Sequence, residues 1–157
     1  MKNANLTAKH LISTHKTLAT AESCTGGLIA HTLTNIPGSS EWFKGGVVAY
    51  ANEIKTAFLG VPPALLKKHG AVSAPVAKAM AQGTRKHLKT DFAIATTGIA
   101  GPTGGTAKKP VGLVFIAIAY PKKTIVKRYI FKGSRLTIKE LTVNKAIGNF
   151  CMSLRSS

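Results

Sequence analysis

The sequence lacks several features that would place it in particular classes of protein. Only five of its 157 residues are acidic, and its two cysteines, Cys24 and Cys151, lie far apart. No C-x-x-C pair or zinc spacing occurs, so we expect neither a metal site nor a disulfide framework. No apolar run approaches the ~20 residues of a membrane span, and the first residues have no signal-peptide pattern. We therefore expect a reduced, cytoplasmic protein without membrane attachment.

Positively charged residues greatly outnumber the acidic ones. The chain carries 22 lysine and arginine residues, which gives a formal net charge of +17. Residues 61–157 contribute +15 of this, because they hold 17 cations and two acids. Such a surface attracts nucleic acid and phosphorylated molecules. Arginines clustered with aromatics, which mark a dedicated nucleic-acid surface, are absent. We expect at most weak, salt-sensitive, non-specific nucleic-acid binding, and a non-catalytic nucleic-acid module is the alternative function.

What the sequence does contain is the pattern of one folded α/β domain over residues 1–157. Its length and its 45% hydrophobic content fit a single domain. Helical periodicity and apolar runs follow one another along the chain, which predicts a three-layer α/β/α sandwich with a mixed sheet. The predicted strands are 18–21, 45–50, 91–97, 111–120 and 124–131. The predicted helices are 5–15, 28–33, 52–59, 62–69, 74–87 and a last one capped by Ser134 or Thr137, with an apolar stripe of Leu141, Val143, Ala146, Ile147 and Phe150.

Polar segments follow three of the predicted strands, at 22–27, 50–55 and 97–105. Ligands of such sheets bind beyond the carboxyl ends of the strands. In the first segment, Ser23 could act as a nucleophile. Backbone N–H groups near Thr25 and the two glycines after it could donate hydrogen bonds to the oxyanion that forms. Helix capping and phosphate binding are the alternatives there. We favour Ser23 over Cys24 because strand alternation places Cys24 on the opposite face. Glu22 could orient or cap a neighbouring group.

Lys55 is the most informative residue of the second segment. If Asn52 caps the helix, Lys55 is the third helical residue, where the helix dipole disfavours a cation. A lower pKa is what a general base needs. Lowering the pKa of a lysine from ~10.4 to ~7 takes about 4.6 kcal/mol. This is more than the helix dipole can supply, so burial must supply most of this free energy. A surface lysine is the alternative. Tyr50, at the strand end, could point its hydroxyl into the same pocket.

The third segment is a glycine-rich loop after a buried strand. Four glycines between 98 and 105 would allow a ligand to approach the backbone closely. Thr96 and Thr97, at the end of the strand, are better placed for polar contacts. At the start of the last helix, the Arg135 guanidinium and free N–H groups could bind a phosphate together. A solvated arginine is the alternative.

Five blocks of the sequence, in the same order, resemble the CinA carboxy-terminal domain family. The blocks are 20–27, 37–43, 46–55, 70–73 and 97–112. The resemblance implies a nicotinamide-nucleotide amidase, which hydrolyses the carboxamide of nicotinamide mononucleotide to nicotinate mononucleotide and ammonia. Such enzymes are dimeric and use no metal or other cofactor, so we expect a homodimer that serves NAD recycling.

The same resemblance assigns roles to individual residues. Ser23 would be the nucleophile and Lys55 its base, with Tyr50 and Thr97 supporting catalysis. The substrate contacts implied are Thr25, Gly26, Gly27, Gly101, Gly104 and Arg135. Two positions depart from the family pattern, Ala51 in place of a common serine and Thr103 in place of a common acid. Neither departure removes one of these roles.

Overall fold

A five-stranded mixed sheet forms the middle layer of the fold. The protein is described by a computed structural model, which covers residues 2–155. The strands are β1 (Leu18–Glu22), β2 (Phe43–Val48), β3 (Phe92–Gly98), β4 (Leu113–Ala119) and β5 (Thr124–Ile130). The helices are α1 (Lys2–Thr14), α2 (Leu28–Thr34), α3 (Asn52–Leu59), α4 (Pro63–His69), α5 (Ala74–His87) and α6 (Arg135–Leu154), with a 3₁₀ turn at Ser39–Glu41. None of the helices within residues 2–155 is long and apolar enough to cross a membrane.

The strand order is β2-β1-β3-β4-β5. β1 runs parallel to both of its neighbours, whereas β4 is antiparallel to β3 and β5 is antiparallel to β4. After β1 the chain forms β2 next to one edge of β1, and it then crosses over to form β3 next to the other edge. This reversal puts a switch point at the carboxyl end of β1, between the ends of β2 and β3.

Helices cover both faces of the sheet, which confirms the predicted three-layer sandwich. Helices α1, α2 and α6 bury large side chains such as Leu11, Ile29 and Phe150 against one face. Helix α5 packs on the other face, where the strands present mainly alanine, for example Ala93 and Ala117. These short side chains let the backbone of α5 approach the sheet closely.

The structure corrects one predicted helix cap and confirms another. Asn52 is the first residue of α3 and not its cap, because Ala51 has the extended backbone of an N-cap. Lys55 is therefore the fourth helical residue, and its N–H donates to the Ala51 carbonyl at 3.3 Å. At the other end of the chain, Ser134 caps α6 by accepting a hydrogen bond from the N–H of Thr137.

Leu141 does not belong to the buried stripe of α6. It is 38% exposed, whereas the other four residues predicted for that stripe are buried. Leu141 lies two residues before Val143, which places it about 200° away around the helix. The prediction for Leu141 is therefore wrong.

The backbones of helices α3 and α5 come into contact at one point. Gly83 lies within α5, and a Cβ atom at this position would overlap the carbonyl oxygen of Leu59, the last residue of α3. The absence of a side chain at Gly83 therefore allows α5 to lie close to α3, the helix that carries Lys55.

We predict that Gly83→Ala destabilises the protein, although alanine is the better helix former by about 1 kcal/mol. The overlap with Leu59 should outweigh that gain and lower the free energy of unfolding in urea by roughly 2–3 kcal/mol. The matched control is Gly148→Ala in α6, whose Cβ would lie 3.2 Å from the Asn3 side-chain amide, a group that can move away. This control should be neutral or stabilising, and equal losses in both variants would contradict the prediction.

Candidate active site

The three polar segments meet in one cavity at the switch point of the sheet. It has a volume of about 280 Å³ and opens beyond the carboxyl ends of β1, β2 and β3. The structure brings together there the five side chains singled out from the sequence. The lining includes Ser23, Tyr50, Lys55, Thr97 and Arg135.

A buried carboxylate holds the turn that carries Ser23. Glu22 is 1% exposed, and its side chain accepts hydrogen bonds from the N–H groups of Gly27 (3.1 Å), Ile29 (2.9 Å) and Ala30 (2.8 Å). These are donors that the start of α2 would otherwise leave unpaired, and the negative charge complements the helix dipole. Of the roles considered for Glu22, the structure therefore shows capping.

The two glycines of this turn do not line the cavity. The N–H of Gly26 donates to the Ser23 carbonyl at 3.1 Å, and that of Gly27 donates to Glu22. These N–H groups are therefore not free to bind an oxyanion, and a role of the two glycines in substrate binding stays a prediction. In residues 2–155, the N–H groups of Cys24 and Thr25 donate to no carbonyl or carboxylate, so they are the donors that the turn still offers.

The Thr25 side chain is also outside the cavity, contrary to its predicted role in substrate binding. It is fully buried, and its hydroxyl shares a 2.8 Å hydrogen bond with the hydroxyl of Thr96 at the end of β3. This contact ties the turn after β1 to the neighbouring strand. The Thr25 hydroxyl thus holds the turn in place.

Cys24 lines the cavity together with Ser23. Cys24 also belongs to the hydrophobic core packed under α1, α2 and α6, and the prediction that it points away from Ser23 stays a prediction. Burial raises the pKa of the Cys24 thiol to about 12. A thiol with that pKa is protonated near neutral pH and is a poor nucleophile. Ser23 therefore remains the better candidate.

Lys55 is buried although it carries an amine. It is 1% exposed, and its Nζ donates to the carbonyls of Ala49 (2.8 Å) and Tyr50 (3.1 Å), just beyond the end of β2. Within residues 2–155, no carboxylate lies at ion-pair distance from it. Burial lowers the pKa of Lys55, and the opposing effects of Cys24 and Glu53 are smaller. The shift is in the direction that a general base requires.

The hydrogen bonds of Lys55 suit the neutral amine. A neutral amine has two N–H donors and one lone pair, and the two carbonyls use both donors. The lone pair is then the group left to accept a proton. In residues 2–155, the Ser23 hydroxyl has no hydrogen-bond partner, and no direct bond joins it to Lys55. Catalytic hydrogen bonds are often long before substrate binds, so the shared cavity is the relevant observation.

Thr97 connects the site to the loop between α4 and α5. Its side chain is buried, and its hydroxyl donates to the Ala71 carbonyl at 2.9 Å. Both residues line the cavity. The bond uses the only proton of the hydroxyl, which leaves its oxygen free to accept a hydrogen bond from a ligand.

Arg135 bridges two sides of the cavity mouth. Its Nη1 donates to the Gly101 carbonyl at 2.7 Å, and its Nη2 donates to the Tyr50 hydroxyl at 2.8 Å. Gly101 and Gly104 both line the cavity, as expected for substrate-contacting residues. A guanidinium has five N–H donors, so Arg135 keeps donors and a full positive charge at the mouth.

The chain is similar to known proteins over most of its length. The family model described as the CinA C-terminal domain matches residues 1–154. The chain belongs to this family. It is 50% identical over 144 residues to a CinA-like protein from Desulfotalea psychrophila, which covers 92% of this chain and 35% of that protein. A CinA-like protein from Gloeobacter violaceus is 55% identical over 121 residues, covering 77% of this chain and 28% of its own. The chain thus spans about a third of the length of the curated relatives it matches.

Solved structures of CinA proteins have the same fold. Competence damage-inducible protein A from Klebsiella pneumoniae superposes with a TM-score of 0.95 at 33% identity, covering 98% of this chain and 96% of that one. Competence/damage inducible protein CihA from Agrobacterium tumefaciens gives 0.94 at 38% identity, with 98% and 94% covered. These matches confirm the resemblance found in the sequence, and the names themselves state no reaction.

The burial of Lys55 predicts how stability depends on pH. Between the lowered pKa of the folded state and about 10.5, the unfolded chain binds a proton that the folded chain does not. The free energy of unfolding should therefore fall as the pH falls through this window, by up to ~1.4 kcal/mol per pH unit. We expect Lys55→Met to remove this slope in urea unfolding at several pH values. Identical slopes in the two proteins would show that Lys55 titrates normally.

Proposed function

We propose that the protein hydrolyses the carboxamide of nicotinamide mononucleotide to nicotinate mononucleotide and ammonia, with Ser23 as nucleophile and Lys55 as base. The observation that carries the proposal is the buried amine of Lys55, which has both donors bound and shares its cavity with the unpaired hydroxyl of Ser23. The choice of substrate comes from the family resemblance. A non-catalytic nucleic-acid module would gain nothing from a buried lysine with a lowered pKa.

In the first half of the reaction, neutral Lys55 takes the proton of the Ser23 hydroxyl as Oγ attacks the carboxamide carbon. The new C–O bond turns the carbonyl oxygen into an oxyanion. The N–H groups of Cys24 and Thr25 are the donors available to it. Protonated Lys55 then gives its proton to the amide nitrogen, the C–N bond breaks, and ammonia leaves an acyl-enzyme ester.

In the second half, water takes the place of ammonia. Lys55, neutral again, accepts a proton from the water as its oxygen attacks the ester carbon. The bond to Ser23 breaks, and the proton returns from Lys55 to Oγ. The products are nicotinate mononucleotide and the starting enzyme, so one water is consumed for each ammonia released.

Arg135 is suited to the phosphate of this substrate. Arg135 is exposed at the mouth of the cavity, whereas Lys55 is buried. An arginine binds phosphate through several parallel N–H donors. A cavity of about 280 Å³ lies near the lower end of the usual ~300–1,000 Å³ range for small-molecule sites. The nucleotide phosphate would then remain at the mouth, next to Tyr50.

The assignment of the nucleophile predicts different results for two adjacent residues. Ser23→Ala should abolish ammonia release from nicotinamide mononucleotide, because the attacking oxygen is lost, while substrate binding is kept. Cys24→Ala is the matched control in the same turn and should keep most activity, because its thiol stays protonated. Both are measured as turnover and as substrate affinity by calorimetry. An active Ser23→Ala together with an inactive Cys24→Ala would reverse the assignment.

The role of Lys55 as a base predicts its response to substitution and to pH. Lys55→Met should lower turnover at least ~100-fold, because the proton acceptor is gone. Lys55→Arg should be no better, because a guanidinium stays protonated. In the unaltered protein, activity should fall on acidification as Lys55 becomes protonated, with an apparent pKa below the ~10.4 of a free lysine. If Lys55→Arg retains turnover and a normal pH profile, Lys55 acts only through its charge.

A further inference from the structure

A second cavity lies at the edge of the sheet opposite the candidate active site. This basic cavity has a volume of about 320 Å³ and lies between α5 and the turn that joins β4 to β5. Ala119, part of its lining, is paired with Ala93 at the start of β3. β3 runs from this edge to the active site, and its seven residues separate the two sites by about 20 Å.

All the charged side chains that line the basic cavity are positive. Its charged side chains are Lys78, Arg85, Lys122 and Lys123, and no carboxylate of residues 2–155 lines it. Asp91 is the acid nearest to Arg85 along the chain, and its carboxylate is bound to Lys16 at 3.0 Å. The four cations therefore repel one another without local compensation. A cleft lined by one sign of charge concentrates the electrostatic potential and attracts counter-ions.

One of these cations is held in a fixed orientation. Arg85 is half-buried, and its Nε donates to the Asp91 carbonyl at 2.9 Å. In residues 2–155, its two Nη groups have no acceptor. A guanidinium fixed through Nε and free at Nη presents parallel donors, which is the geometry that binds phosphate oxygens in pairs. Lys123 makes a cation–π contact in the same lining, with its Nζ 5.6 Å from the ring centre of Tyr120.

Helix stabilisation does not account for the cluster. Cations in the last turn of a helix complement its dipole, and Arg85 is in the last turn of α5. Lys78, however, is the fifth of the 14 residues of α5, and Lys122 and Lys123 belong to a different element. The shared property of the four is that they line one cavity.

We propose that the basic cavity binds a compact polyphosphate, either the phosphate chain of a nucleoside triphosphate or inorganic triphosphate. Four cations from α5 and the β4–β5 turn, on the two sides of one concave site, match several adjacent phosphates. Gln82 and Thr124 add neutral polar groups to the same lining. A nucleic-acid backbone would instead require cations spread along an open surface. This proposal does not depend on the amidase reaction.

The test is calorimetric titration of the full chain with inorganic triphosphate at about 150 mM salt, where distant charges are screened. The double variant Lys78→Glu/Lys122→Glu should bind at least about tenfold more weakly. The matched control Lys2→Glu/Lys9→Glu makes the same change of charge on exposed positions of α1, on the other face of the sheet. It should lose less than about threefold. Arg135→Gln should leave unchanged the binding step that Lys78→Glu/Lys122→Glu weakens, because Arg135 belongs to the other site.

Adenosine triphosphate and single-stranded DNA are titrated in the same way as two further ligands. Tighter binding of the nucleotide than of inorganic triphosphate would identify a nucleotide as the ligand, and equal binding would identify the phosphate chain alone. The proposal is overturned by three results: no saturable binding, equal losses in the two double variants, or loss of that binding step in Arg135→Gln. It is also overturned if DNA binds more tightly than triphosphate and both double variants weaken it equally, since that would indicate a diffuse basic surface.

Discussion

The amine of Lys55 is buried, with no carboxylate partner among residues 2–155, and the strand end and helix around it hold it there. Burying an ammonium costs several kcal/mol, so the site favours the neutral form. The two carbonyls that bind Nζ are available because β2 ends at Val48, just before Ala49 and Tyr50. Helix α3 must also lie close to α5, and the backbone contact at Gly83 makes this possible. The basicity of one side chain thus depends on a strand end and a helix contact.

The mixed sheet gives its two edges different roles. Parallel strands β1, β2 and β3 direct their carboxyl ends to one edge, where the polar turns form the candidate active site. Antiparallel β4 directs its carboxyl end to the opposite edge, and the turn that follows contributes to the basic cavity. Reversing one strand therefore separates the two cavities by the length of the sheet. A ligand in the basic cavity would not compete sterically with one in the active site.

The sequence predicted the fold and the meeting of Ser23, Tyr50, Lys55, Thr97 and Arg135, because strand ends and helix starts follow from local patterns. It could not predict side-chain directions inside turns. Strand alternation stops at Glu22, so it does not determine the direction of Cys24.

Hydrogen bonds between segments are also not predictable from local sequence patterns. Gly26 and Gly27 looked like an anion site, but their N–H groups are used by Ser23 and Glu22. Nothing local shows that a carboxylate five residues before Gly27 will turn back to it. The basic cavity was missed for a similar reason: its cations come from positions about 40 residues apart, and only their excess was visible.

The capping of α2 by Glu22 also determines how a nucleotide can lie in this fold. In many α/β proteins the helix after the first strand binds a phosphate at its positive end. Here the chain supplies its own anion at that place, so the helix is closed to phosphate and the turn before it is available to a nucleophile. If the protein acts on a nucleotide as proposed, the phosphate would therefore point away from α2 and the base towards the β1 turn. That is the reverse of the orientation found where the first helix cradles the phosphate.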